Sequence, residues 1–120
     1  MMKEIHEQPK VVADTLNSVL KDGEIDLSGV GLSAEEIKNI SEIQIVACGS
    51  AYHVGMVGQY VIEDLARIPV RVELASEFRY RNPILDKNTL VIVVSQSGET
   101  ADSLAALARR SSEESRLLEL

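Results

Sequence analysis

Three hydroxyl side chains and a glycine occur within six residues at positions 95–100, whose sequence is SQSGET. Hydroxyl, amide and backbone N–H groups that converge at the start of a helix can hold a phosphate without a lysine or arginine. Charge-assisted hydrogen bonds of this kind contribute about 1.5 to 3 kcal/mol each. A serine-rich helix cap without any ligand is the alternative that composition leaves open. The residues that could form a phosphate loop are Ser95, Gln96, Ser97, Gly98 and Thr100.

A second glycine turn occurs at positions 48–52, with the sequence CGSAY. If both turns follow neighbouring strands, they lie at the same edge of a sheet, where two adjacent turns would suit a phosphorylated sugar. Cys48 could be considered as a nucleophile, but no nearby motif supplies a base, and cysteine is commonly a small buried apolar residue. The sequence indicates no catalytic residue and no cofactor. His6 and His53 lack further ligands at metal-binding spacing, so no metal site is predicted.

The elements that would position these turns alternate between strands and helices. Residues 43–47, 70–75 and 90–94 are short apolar or alternating runs of strand length. Apolar residues recur every three or four positions between the first two strands, and again after the second glycine turn, which predicts helices. This alternation predicts a parallel α/β sheet with ligands at the carboxyl ends of its strands.

The residues before the first strand are predicted to be a helical lead-in, spanning 1–42. An amphipathic helix is predicted in the first twenty residues, with Pro9 in its first turn or at its start. Residues 21–23 are read as a stop signal, and Ser33 with Glu36 predicts a capping box at the start of a second, short helix.

The segment between the second and third strands, EFRYR at 77–81, holds two of the chain's aromatic residues beside two arginines. It could be a partner surface. The preferred interpretation is a solvated loop or short helix that Phe78 and Tyr80 anchor to the body of the domain.

Composition limits the class of protein. The chain has 120 residues and a formal net charge of −7, with 19 acidic and 12 basic residues, which argues against a nucleic-acid partner. It has one cysteine, no apolar run near the roughly 20 residues needed to cross a bilayer, and no secretory signal pattern at its start. We therefore expect a cytoplasmic location and no membrane partner.

Four motifs together resemble the isomerase part of the glutamine:fructose-6-phosphate amidotransferases. They are KEIHEQP at 3–9, CGSAYH at 48–53, ASEFRY at 75–80 and SQSGET at 95–100. The last motif alone would be typical only of the wider sugar isomerase (SIS) fold family, which includes phosphosugar isomerases and sugar-responsive regulators. The first motif favours the amidotransferases.

The resemblance implies a partial SIS domain, a three-layer α/β fold with a parallel flavodoxin-like sheet preceded by N-terminal helices. It implies fructose 6-phosphate or glucosamine 6-phosphate as ligand. Ala51 stands where the family frequently has a serine, which removes one hydroxyl. The implied substrate-binding residues are Gly49 and Ser50 near the sugar, with Ser95, Gln96, Ser97, Gly98 and Thr100 forming the phosphate loop.

The resemblance fades after position 110, so that 43–110 is interpreted as the first half of an SIS domain and 111–120 as a divergent tail. The family's glutaminase domain, ring-opening histidine, proton-transferring glutamate and Schiff-base lysine have no counterpart in this sequence. We therefore expect the chain alone to bind sugar phosphate without catalysis, or to be inactive. The alternatives are a non-catalytic sugar-phosphate-sensing module and a fragment that forms a homo-oligomer through its sheet or helices.

Overall fold

The computed structural model describes residues 1–81, 83–95 and 116–119. The chain divides into two compact units, Met1–Ile37 and Lys38–Leu120. The first unit contains one long helix, a small hairpin, a 3₁₀ turn and most of a short helix, and the second contains the parallel sheet.

The first unit opens with a long helix and continues through a small hairpin. Asp22 and Gly23 both have positive φ angles, 53° and 78°, which suit a two-residue turn between antiparallel strands. The sequence analysis took residues 21–23 only as a helix stop, and the hairpin is the feature that it missed. The elements are α1 (Met2–Val19), β1 (Leu20–Lys21), β2 (Glu24–Ile25), a 3₁₀ turn (Ser28–Val30) and α2 (Ala34–Lys38).

Pro9 lies inside α1 rather than in its first turn, so that prediction was wrong. The helix begins at Met2, where the Ile5 N–H already donates to the Met1 carbonyl at 3.0 Å and the amino terminus pairs with Glu4 at 2.9 Å. These contacts start the helix well before the proline, which removes one N–H donor from the helix interior. No residue of α1 is buried.

The predicted capping box at the start of α2 is confirmed. The Ser33 N–H donates to Glu36 Oε2 at 2.9 Å, and the Glu36 N–H donates to Ser33 Oγ at 3.2 Å. The two residues thereby satisfy two backbone donors that the first turn of a helix leaves without intrahelical partners.

The second unit holds a four-stranded sheet in which every neighbouring pair is parallel. The strand order is β4-β3-β5-β6. The three strands predicted from apolar runs are confirmed to within one residue at each end. The elements are β3 (Glu42–Ala47), α3 (Ser50–Ala66), β4 (Val70–Leu74), α4 (Ala75–Arg81), β5 (Thr89–Val94) and β6 (Arg116–Glu119).

Helices cover both faces of this sheet. Successive residues of a strand point to opposite faces, and Ile45 contacts α3 at Gly55, whereas Val46 belongs to a cluster with Phe78 of α4. That cluster also contains Val91 and Val93 of β5. The three-layer α/β fold with a parallel sheet is thus confirmed.

The segment between the second and third strands begins with the short helix α4. Phe78 is 2% exposed and anchors this helix to the core as predicted, but Tyr80 is 80% exposed and anchors nothing. The Arg81 guanidinium donates to both carboxylate oxygens of Glu73 at 2.6 and 2.7 Å, which raises the pKa of Arg81. This pairing fixes the end of α4 to β4.

The end of the chain adds a strand that the sequence analysis did not predict. β6 pairs with β5 in parallel, with Leu90 opposite Arg116 and Val93 opposite Glu119. The segment that was interpreted as a divergent tail therefore continues the sheet over these four residues. The sequence RLLE has no β-branched residue, so the strand state comes from backbone pairing with β5.

Candidate functional site

The two segments predicted as glycine turns follow β3 and β5, which are neighbouring strands at the point where the strand order reverses. From β3 the chain passes to β4 on one side, and β5 then lies on the other side of β3. Ala47 and Val94 are register partners at the ends of β3 and β5. Because neighbouring strands lie about 4.8 Å apart, the residues that follow them start side by side. Ligands of open parallel sheets bind at such a reversal of strand order.

Gly49 shapes the first of these turns. Its φ of 58° and ψ of −135° lie in a region that side chains with a Cβ atom rarely adopt. Gly49 is the N-cap of α3, and no side chain caps this helix end among the residues that the structure describes. The Tyr52 N–H donates to the Gly49 carbonyl at 3.2 Å. The amides of the first turn of α3 therefore stand at the carboxyl edge of the sheet without a side-chain cap.

Three of the seven predicted substrate-binding residues fall within the described part of the chain. Gly49 and Ser50 are solvent-exposed, and Ser95 is half-buried directly after β5. The register of β3 and β5 brings these three to the same sheet edge. The other four predicted positions lie outside the described residues; they are Gln96, Ser97, Gly98 and Thr100.

Cys48 is exposed, so the expectation of a buried cysteine was wrong. It follows the last residue of β3, where the chain leaves the sheet for the turn. Among residues 1–81, 83–95 and 116–119, no group of three or more acidic, histidine or cysteine side chains could hold a metal ion. No helix in the same ranges is long and apolar enough to cross a bilayer.

The backbone at Ala51 is a contribution that the sequence did not reveal. The residue lacks a hydroxyl, but its amide belongs to the first turn of α3, directly after the Gly49 N-cap. A backbone donor leaves no side-chain signal in a sequence, and only the glycine before the helix points to it. In the same helix, the ring centroids of Tyr52 and His53 lie 5.8 Å apart in an edge-to-face arrangement.

The family model for the SIS domain matches residues 36–115. The chain is 63% identical over 108 residues to glutamine–fructose-6-phosphate aminotransferase (isomerizing) from Clostridium tetani, covering 89% of this chain and 18% of that protein. It is 54% identical over 119 residues to the enzyme of the same name from Caldanaerobacter subterraneus, covering 98% of this chain and 20% of that protein.

A solved structure shows the same fold. The C-terminal domain of glucosamine-fructose-6-phosphate aminotransferase from Francisella tularensis superimposes with a TM-score of 0.81 at 42% identity. The match covers 99% of this chain and 34% of that one. The chain thus spans about a fifth of the length of the curated relatives named above. With a matching model over residues 36–115 and a parallel α/β sheet, the chain belongs to the SIS domain family.

Proposed function

We propose that this chain carries the phosphosugar-binding part of an enzyme that makes glucosamine 6-phosphate from fructose 6-phosphate and glutamine. The names of the relatives supply glutamine, fructose 6-phosphate and the amino transfer with isomerisation, and glucosamine 6-phosphate is the product that the resemblance implies. The observation that carries the proposal is the register of Ala47 with Val94, because it starts the two turns next to each other. A ligand with a phosphate at one end and hydroxyls along its length could then be held by both turns.

Each turn has its own part in this proposal. Gly49 lets the chain enter α3 so that the first-turn amides and the Ser50 hydroxyl are open to the sugar. Ser95 begins the second turn, next to the first. The phosphate is held by hydroxyl and amide donors rather than by lysine or arginine. On the sequence alone, the remaining phosphate contacts are assigned to Gln96, Ser97 and Thr100, with Gly98 allowing close approach of the backbone.

No residue of the chain is assigned a role in proton transfer or covalent chemistry, and no cofactor is assigned. The chain alone is expected to bind fructose 6-phosphate or glucosamine 6-phosphate without converting either. The family also includes regulators, so a sugar-phosphate-sensing module is the second candidate. A parent protein with glutaminase and lysine-bearing segments favours the enzyme, whereas a DNA-binding domain in the parent favours the sensor.

The test is a titration of the purified chain with fructose 6-phosphate and glucosamine 6-phosphate, followed by amide chemical shifts. Saturable shifts centred on Gly49, Ser50 and residues 95–100 are expected. Fructose without its phosphate is the control and should give much weaker shifts, since the phosphate carries the charge that the donors hold. A folded spectrum that responds to neither phosphosugar would reject phosphosugar binding by this chain.

A further inference from the structure

One row of residues along α3 faces the sheet and ends in polar side chains. Gly55 lies close to the sheet, where a Cβ atom would be 3.0 Å from Ile45 and 3.1 Å from Val72. Gln59 and Glu63 follow at four-residue spacing, which places them on the same side of the helix. Both side chains are half-buried. The row therefore passes from a close apolar contact to two groups that can form directional hydrogen bonds.

The two polar side chains bind both backbone groups of one residue, Val70. The Gln59 side-chain amide donates to the Val70 carbonyl at 2.7 Å, and Glu63 Oε1 accepts from the Val70 N–H at 3.0 Å. Val70 is the first residue of β4 and is buried. Together these two contacts form a clamp of the helix on β4, the α3 clamp.

The α3 clamp satisfies backbone groups at the edge of the sheet. The Ile43 N–H donates to the Pro69 carbonyl at 2.9 Å, and successive residues of a strand direct their backbone groups to alternate sides. The N–H and carbonyl of Val70 therefore point away from β3. β4 is the outer strand on this side of the sheet that the structure describes, so the partners of Val70 come from α3 instead of a further strand.

The C-terminal end of α3 is held at the same place. Arg67 is the C-cap of the helix, with a φ of 57° and a ψ of 34°, a left-handed conformation that costs energy for a residue with a Cβ atom. Its backbone N–H and its guanidinium donate to the Glu63 carbonyl at 3.2 and 3.3 Å. A residue keeps such a conformation where the surrounding contacts determine it. Glu63 is thus joined to the helix end through its carbonyl and to β4 through its carboxylate.

We propose that Gln59 and Glu63 are positioning residues of the phosphosugar site, because their hold on Val70 fixes how far α3 extends along the sheet. Apolar contacts keep a helix on a sheet but are non-directional, whereas hydrogen bonds require donor–acceptor distances of about 2.7 to 3.2 Å. The α3 clamp therefore resists sliding of the helix along its axis. The inference rests on the proposed function, since it assigns the clamp a role in holding the ligand.

The first turn of α3 depends on contacts further along the helix. Cys48, Gly49 and Ser50 are all exposed, and the chain enters the helix through a glycine with positive φ. Ser50 lies nine residues before Gln59 in the same helix, about 14 Å along its axis. A shift at the clamp is carried by the helix to the Ser50 hydroxyl and to the first-turn amides, which are the groups assigned to the sugar.

The first test uses variants of the full 120-residue chain without ligand. Glu63→Met removes the acceptor for the Val70 N–H, whereas Glu63→Gln keeps an oxygen that can accept it. Glu73→Met is the matched control. It removes a carboxylate from the same sheet, but that carboxylate binds Arg81 at 2.6 Å and so ties α4, not α3, to β4.

The amide chemical shifts of Ser50 and Ala51 report the position of the first turn. Both shifts should move in Glu63→Met and stay at their parent values in Glu63→Gln and Glu73→Met. Gln59→Met removes the other half of the α3 clamp and should move the same two amides, so the test does not depend on the folding of one variant. Unchanged Ser50 and Ala51 shifts in the clamp variants, or equal changes in Glu73→Met, would overturn the proposal.

The second test measures binding of fructose 6-phosphate by calorimetric titration. The dissociation constant should rise about three- to tenfold in Glu63→Met, as expected when one or two hydrogen bonds to the ligand weaken. It should stay near the parent value in Glu63→Gln and Glu73→Met. A parent-like affinity of Glu63→Met would reject the role of the clamp while leaving the proposed function intact, whereas a parent chain that binds no phosphosugar would reject the proposed function and this role with it.

Discussion

A Cβ atom at Gly55 would lie 3.0 Å from Cγ2 of Ile45, so α3 approaches β3 closely at this glycine. The glycine thereby determines which face of α3 meets the sheet. Four larger apolar side chains of the same helix are exposed; they are Val54, Val57, Val61 and Leu65. A periodic pattern alone would have assigned those larger side chains to the core.

Replacing Gly55 with alanine should lower the free energy of unfolding relative to the same change at Gly58. Both lie in α3, where alanine gains about 0.5 to 1 kcal/mol over glycine. At Gly58 the new Cβ would meet only the end of the Ile45 side chain at 3.6 Å, so that gain should appear. At Gly55 it would also lie 3.1 Å from Val72 Cγ1, and crowding should cost about 1 to 3 kcal/mol. Urea unfolding of both variants measures the difference, and equal stabilities would contradict it.

The parallel sheet was predictable because its strands carry their own signal. Residues 90–94 of β5 are an uninterrupted apolar run, and β3 is apolar except at Glu42 and Gln44, as expected for strands covered on both faces. β6 was not predictable, since its four residues become a strand only by pairing with β5. The exposure of these α3 side chains was also hidden, because the periodicity of Val54, Val57, Val61 and Leu65 gives a face but not the layer that it meets.

The sheet edge that carries the candidate site was predictable, and the backbone groups at that edge were less so. Glycine after a strand and before a helix marks the turn at Gly49, and parallel topology places such turns at one edge. The sequence did not determine that β3 and β5 would be direct neighbours, which depends on the strand order. The sequence revealed neither the backbone donor at Ala51 nor the exposure of Cys48, because both depend on where the chain leaves the sheet.

Gln44 should tolerate replacement by methionine, with a gain in stability of about 1 kcal/mol. Its side chain is fully buried on β3, and its Oε1 has no hydrogen-bond partner among the residues that the structure describes. Its amide nitrogen makes only a long contact of 3.4 Å to the Ile45 carbonyl. An apolar side chain of similar shape removes the cost of burying an unpaired acceptor.

The matched control for this change is Gln59→Met. Gln59 donates to the Val70 carbonyl at 2.7 Å, so its loss should cost about 1 kcal/mol. The thermal unfolding temperature should therefore rise in Gln44→Met and fall in Gln59→Met, relative to the parent chain. A loss of stability in both would mean that the buried Gln44 amide contributes to the fold.

Acid should weaken the hairpin region through Asp26. Its carboxylate accepts from the Lys21 ammonium at 2.7 Å and from the Ser28 N–H at 2.8 Å, and these bonds, chiefly that with Lys21, hold the pKa of Asp26 well below its usual range. Because the pKa is lower in the folded state than in the unfolded chain, the contacts stabilise the fold above about pH 4. That stabilisation is lost as the pH falls through the depressed pKa.

The Ser28 amide shift during acidification measures this effect. Its midpoint should lie well below pH 4, and Asp26→Asn should abolish it. Asp22→Asn, in the turn of the same hairpin, should leave the Ser28 transition unchanged. A midpoint near the ordinary carboxyl pKa of about 3.9 would show that the two hydrogen bonds do not persist in solution.

Ser50→Ala should weaken fructose 6-phosphate binding about 5- to 30-fold, the equivalent of about 1 to 2 kcal/mol for one hydroxyl hydrogen bond. Ser41→Ala is the control, because Ser41 precedes β3 at the opposite end of the same strand and its hydroxyl meets the Asn88 carbonyl at 3.5 Å. Calorimetric titration of both variants separates a contact with the ligand from a general loss of structure. Equal affinities of Ser50→Ala and the parent chain would remove Ser50 from the site. Ser97→Ala is expected to weaken binding on the same grounds, and weaker binding by that variant alone would still assign the phosphate to the segment after β5.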